Sequence, residues 1–128
     1  MSQRKRYKKR IDQTVTAVRV ALDTDGFTYR KWGGVQTCKA GDWLVNNRGD
    51  TYTIDAETFA ATYREVSSGV YAKHSEVWAE VAVQAGVIRT KEGETHYRAG
   101  DYLVYNQGQG EDGYAVSKEV FETQYEPC

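Results

Sequence analysis

A β-rich α+β fold is predicted, made of two tandem, pseudo-symmetric repeats of curled β-hairpins, each followed by one short helix. Three observations predict it. The stretch "KAGDWLVNN" beginning at Lys39 returns as "RAGDYLVYN" beginning at Arg98. A helix-capping pattern follows each copy at the same place. Ten tyrosines among many Val and Thr, with Pro127 the one proline, favour strands.

The two copies align residue by residue. Ala40-Gly41-Asp42-Trp43-Leu44-Val45-Asn46-Asn47 matches Ala99-Gly100-Asp101-Tyr102-Leu103-Val104-Tyr105-Asn106. After an insertion in the second copy, Tyr52, Ile54, Glu57, Phe59 and Tyr63 match Tyr114, Val116, Glu119, Phe121 and Tyr125. Upstream, Val15 and Ala17 can be set against Val77 and Ala79. The units span residues 14–66 and 76–128, joined by a connector over 67–75 and preceded by a basic arm over 1–13. Two copies are too few for a solenoid. A pair of units packed as one domain is the expectation, and a chain of this length buries roughly two-thirds of its unfolded surface.

Along the chain, Thr14–Leu22 alternates as a strand does. Phe27–Lys31 and Val35–Lys39 read as strands around a Gly33-Gly34 turn. Asp42–Asn47 and Thr51–Ile54 form a hairpin, with Gly49 supplying the positive φ of its turn. Asp55 then caps a helix, because its carboxylate can accept from the free amides of the first turn. Glu57 sits at the positive end of the helix dipole, and Ile54 with Phe59 forms a hydrophobic staple. Tyr63 either extends that helical face or begins an edge strand. Val70–Lys73 and Val77–Val83 are strand-like, with a helix over Glu76–Ala85 as the alternative. Gly86–Thr90 and Thr95–Arg98 flank a Glu92-Gly93 turn. In the second unit the hairpin turn lengthens to residues 107–113, whose three glycines make it the most mobile loop expected. Ser117, Glu119, the Val116–Phe121 staple and Tyr125 repeat the pattern of the first helix.

Each half resembles a family of short phage and bacterial proteins that carry a Pro-Gly-Asp-aromatic-aliphatic-Val hairpin, then Gly, Tyr-x-aliphatic and Phe-x-x-x-Tyr. The residues that carry the resemblance are "AGDWLV", "GDTYTI" and "FAATY", then "AGDYLV", "GYAV" and "FETQY". The opening "YKKRIDQTVTAVRV" is similar to the family's basic, strand-forming start. Ala40 and Ala99 stand where the pattern has Pro. The resemblance implies a phage or bacterial origin, and its motifs are structural rather than catalytic.

No apolar run long enough to span a bilayer occurs, and the basic start is not followed by the apolar core of a secretory signal. The chain therefore reads as cytoplasmic, in a bacterial host cell, with Cys38 and Cys128 both free. Of its 17 Lys and Arg, six lie in residues 1–10, leaving a mildly acidic body among 18 Asp and Glu. Those six, Arg4, Lys5, Arg6, Lys8, Lys9 and Arg10, could neutralise the phosphates of a nucleic acid, and affinity would then fall steeply with salt.

Other chemistry has weaker footing. Cys38, His74, His96 and Cys128 lack the short spacing that gathers zinc ligands, so no metal site is expected. Asp23-Thr24-Asp25-Gly26 begins like a calcium loop but lacks the later ligands. No glycine-rich turn leads into a helix with Lys-Ser/Thr. Cys38 and His96 occupy corresponding stretches and could meet as nucleophile and base. Asp42 and Asp101 follow Gly in turns, where Asp bonds to nearby amides. No cofactor is implied.

The aromatic residues carry the leading expectation. Trp43 shares a strand face with Asn47, and Tyr102 shares the matching face with Asn106. Together with Trp32 and Tyr105 they would line the join of the halves as an aromatic-plus-amide surface. The function expected is a non-enzymatic binding module of phage or bacterial origin, recognising a protein or a nucleotide-like small ligand in phage–host interaction. Nucleic-acid binding through the arm is the alternative, and a Cys38/His96 enzyme the third reading. A homo-oligomer through an edge strand stays open.

Overall fold

In the computed structural model, residues 4–110 and 112–128 are described. Residues 1–3 of the basic arm and Glu111 of the glycine-rich loop lie outside them. The first unit contains β2 (Val15–Arg19), β3 (Phe27–Lys31), β4 (Gly34–Cys38), β5 (Trp43–Asn47), β6 (Asp50–Ile54), α1 (Ala56–Thr62) and β7 (Tyr63–Ser67). It is preceded by β1 (Lys5–Lys9). The chain continues through β8 (Val70–Lys73), β9 (Val77–Val81), β10 (Gly86–Arg89), β11 (Glu94–Tyr97), β12 (Tyr102–Tyr105), β13 (Gly113–Val116), α2 (Lys118–Gln124) and β14 (Tyr125–Pro127). Among the described residues no helix is long and apolar enough to cross a membrane.

The strands build two five-stranded antiparallel sheets, ordered β6-β5-β2-β8-β7 and β13-β12-β9-β1-β14, and two hairpins, β3-β4 and β10-β11. The first large sheet uses residues 15–73 alone. The second needs β1, which pairs with β9 through Tyr7↔Val77 and with β14 through Tyr7↔Pro127. Residues 5–9 of the basic arm thus form an interior strand rather than a tail. The connector is likewise structured, because β8 lies between β2 and β7. Val77–Val81 is a strand whose Val77 and Ala79 point into the core, so the helical spacing of Val77, Val81 and Ala85 is not used.

Each large sheet carries its own core. Val15, Ala17, Val45, Phe59 and Tyr63 form one, and Val77, Ala79, Val104, Phe121 and Tyr125 with Tyr102 form the other. Both helices are capped as their sequences require. The Asp55 carboxylate accepts from the Glu57 and Thr58 amides, and the Ser117 hydroxyl accepts from Val120. Each helix ends in one residue that begins a strand, Tyr63 or Tyr125, whose amide still donates to the Phe carbonyl four residues back. Phe59 stacks between Trp43 and Tyr63, at 4.2 and 4.7 Å between ring centroids. Phe121 stacks in the same way between Tyr102 and Tyr125, at 4.1 and 4.6 Å. Tyr71 of β8 meets Phe59 edge-on, and Tyr7 of β1 meets Phe121 edge-on. Such ring pairs contribute about 0.5–1.5 kcal/mol each beyond the area they bury.

The two small hairpins lie against each other. His96 donates its amide to the Trp32 carbonyl, and Gln36 forms a bridge with Gly93. Gly93 is required there, because a Cβ would run into the carbonyl oxygen of Val35.

Candidate functional site

The contacts that join the two cores are polar. Asn47 and Gln124 exchange side-chain hydrogen bonds at 3.1 and 3.2 Å, both buried. Thr58 donates to Asp112 at 3.2 Å, and the Asp55 amide donates to Glu92 at 2.8 Å. Among these contacts lies a cavity of about 550 Å³, walled by residues of β6 and α1 from one core and of β13 and α2 from the other. Its size is that of a small-ligand site.

Two lysines enter it from strand ends. Lys9 ends β1 and Lys73 ends β8. The Lys73 amine donates to Asn106 Oδ1 at 3.1 Å and to the Tyr114 hydroxyl at 2.8 Å. It also stands 5.8 and 5.1 Å from the ring centroids of Tyr63 and Tyr114. The Lys9 amine lies 5.4 Å from the Tyr125 centroid. Among the described residues neither lysine forms an ion pair. Burial, reinforced by the charge of Lys9 and opposed by Asp112, pushes Lys73 down to about 7. Burial and then Arg48 lower Lys9 to about 8.

The acidic groups of the cavity are mostly engaged. Asp112 accepts from Asn106 at 2.9 Å and from Thr58, and Lys91 stands 3.9 Å away. Burial raises Glu92 to about 7; the Asp55 amide opposes this, and the Asp55 and Asp112 carboxylates add to it. The phenols are held protonated. Burial lifts Tyr52 to about 12, and Tyr63, Tyr114 and Tyr125 go well above the ordinary tyrosine range for the same reason. The cavity therefore presents hydroxyl donors, side-chain amides, two amines and ring faces.

No family model, curated protein or solved structure matches the chain.

The expected aromatic-plus-amide residues divide into two groups. Trp32, Asn47 and Asn106 line the cavity. Trp43 and Tyr102 are instead the outer rings of the two core stacks, and Tyr105 lies under the Arg4 guanidinium at 4.4 Å from its centroid. The face assigned to a ligand is the face the helices cover. Trp32 is also unusual in its backbone. It sits at φ 56° in the β3-β4 turn, where a bulky side chain costs about 1–2 kcal/mol. It is 38% exposed, packs on Tyr52 at 5.5 Å, and has Lys31 over its ring at 5.3 Å.

The six cations of the arm are distributed by β1. Arg4 meets Glu80 at 4.0 Å, Arg6 meets Glu76 at 3.5 Å, and Lys8 and Arg10 both reach Glu126, at 4.0 and 3.5 Å. Lys5 is exposed, and Lys9 faces the cavity. Cys38 and His96 do not meet. His96 lies beside the Gly33 turn, whereas Cys38 closes the other end of β4, roughly 15 Å along an extended chain. Burial, with Asp42 nearby, raises the Cys38 thiol, the opposite of what a nucleophile needs. Both cysteines are free, Cys38 buried and Cys128 exposed.

Lys73, Glu92 and Tyr63 are not among the residues that the sequence marks for a ligand surface, and Lys9 falls in the basic arm. One signal does point to the lysines. Tyr7-Lys8-Lys9 and Tyr71-Ala72-Lys73 share Tyr-x-Lys, a match lying just upstream of the aligned units.

Proposed function

We propose that the chain is a non-enzymatic binding module that holds a nucleotide-like small ligand in the cavity between its two cores. The observation that carries this reading is the cavity itself. It has the volume of a small-ligand site, ring faces for a planar group, and convergent amide, hydroxyl and amine donors. The strained backbone at Trp32 supports it, since a bulky residue in a left-handed turn fits a position retained for contact rather than for stability. Internal duplication is part of the proposal. The strand orders correspond element by element, and Lys9/Lys73, Tyr52/Tyr114, Tyr63/Tyr125 and Asn47/Asn106 fall in corresponding places. A phage or bacterial origin, with capture of a ligand in phage–host interaction, rests on the resemblance of the repeated motif. Nucleic-acid binding has less support, because four of the six arm cations face a carboxylate.

A nucleotide and nucleoside panel read by thermal shift tests the reading. At least one member raises the melting temperature of the full chain by several degrees. Trp32→Ala removes most of that rise while leaving the unliganded transition cooperative. A panel without any shift, or a shift unaltered by Trp32→Ala and Asn106→Ala, excludes the cavity as the site.

A further inference from the structure

We infer that the cavity receives an anionic group of its ligand, a phosphate or a carboxylate, between the amines of Lys9 and Lys73. This rests on the cavity being a ligand site and adds the chemistry of what it takes. The two amines reach one space from different sheets, and among the described residues neither has an ion-pair partner. Arg48 adds further positive charge beside Lys9. The acid that faces Lys73 is Asp112, and its carboxylate already accepts from Asn106 and Thr58.

Two like charges sharing a desolvated space disfavour each other, and an anion placed between them offsets both the repulsion and the burial. Tyr63 and Tyr114 lie beside the Lys73 amine and Tyr125 beside the Lys9 amine, as neutral phenols whose hydroxyls can donate. Trp32 and Tyr52, which line the same cavity, supply ring faces for a planar remainder.

Proton linkage follows. The amines are partly neutral near physiological pH and take up protons when the anion arrives. Glu92, which lines the same cavity, loses its proton over the same range and adds negative charge as pH rises. Both effects weaken anion binding at higher pH.

The probes are inorganic phosphate, AMP and adenosine, with the full chain at fixed ionic strength. Melting temperature and calorimetry are read at about pH 6.5 and about pH 9, either side of the depressed amine range. At the lower pH AMP binds about tenfold or more tightly than adenosine, as a charge-assisted contact warrants, and phosphate alone raises the melting temperature. The advantage shrinks at the higher pH, and buffers of different ionisation heat reveal proton uptake. Lys9→Met and Lys73→Met each erase the AMP advantage, whereas Lys118→Met on the exposed start of α2 keeps it. The pH comparison on the unsubstituted chain stands even if a variant fails to fold. AMP and adenosine binding alike at both pH values overturns the anion site and leaves the ligand cavity standing. Failure of all three probes to bind overturns the anion site, and failure of the wider panel as well overturns the ligand cavity.

Discussion

At the scale of the residue, Asp42 ties two segments together with one carboxylate. It is 1% exposed, and accepts from the Lys39 amide at 2.8 Å and from the Ala56 amide at 3.2 Å. The second of these is the first amide of α1, so Asp42 and Asp55 together satisfy three of the donors that a helix start leaves free. Asp42→Ala strands two amides and is expected to cost about 3 kcal/mol. Urea unfolding measures it, and an unchanged midpoint would refute the assignment. Asp101→Ala, which removes one bond to Arg98, costs less. These two aspartates were legible as turn residues because each accepts from an amide three residues back, Lys39 or Arg98; the Asp42 bond to Ala56 was not legible in that way. The stacking of Trp43 on Phe59 and of Tyr102 on Phe121 was less legible. Alternation along a strand separates two faces but does not say which one a helix will cover. The lysines of the cavity were missed because Lys9 sits in a run of six cations, where composition suggests a solvated tail.

At the scale of the element, the helices were the most legible parts of the chain. Cap, acidic first turn and staple are short-range, and each appears twice. The strand at residues 5–9 was the least legible. Its partners begin at Val77 and Tyr125, and no local pattern records a pairing over that separation. Yet β1 lies between β9 and β14, and Tyr7 seals the face of Phe121. Removing residues 1–10 is therefore a structural lesion rather than the loss of a binding arm. Truncation is expected to cost more than about 3 kcal/mol, from the partly buried Tyr7 and the lost pairing, or to abolish the cooperative transition. A peptide of residues 4–10 added in excess restores it. A truncated chain that melts like the full one would contradict the sheet order.

At the scale of the whole molecule, two apolar cores meet through a polar, charged space, and that arrangement writes itself into the pH dependence of stability. Lys73 titrates near 7 in the folded chain and near its ordinary 10.5 when unfolded. Below about 7 the cost of its burial is borne in full. As pH rises from there toward 10, the unfolded state binds more protons than the native one, so stability rises. Glu92 works on the other side. Raised to about 7 from 4.5, it holds a proton in the native state that the unfolded state has released, so stability falls as pH rises through that window. Above about pH 10 the buried phenols reverse the trend, because only unfolded tyrosines ionise there. Melting temperature against pH should show a trough near neutrality; Lys73→Met flattens its alkaline wall and Glu92→Gln its acid wall. Difference curves that leave both walls in place would refute the burial of these groups. The position of β1 has a further consequence, for the order in which the chain acquires its structure. Residues 15–73 close their sheet with their own strands and can do so as soon as they are synthesised. The second sheet has to retain a strand made before the first sheet until β9 exists to pair with it, and it is complete only with residues 125–127. During that interval the vacant place beside β9 accepts the same strand from a neighbouring copy equally well, so crowded synthesis favours a swapped pair of chains with every native contact preserved.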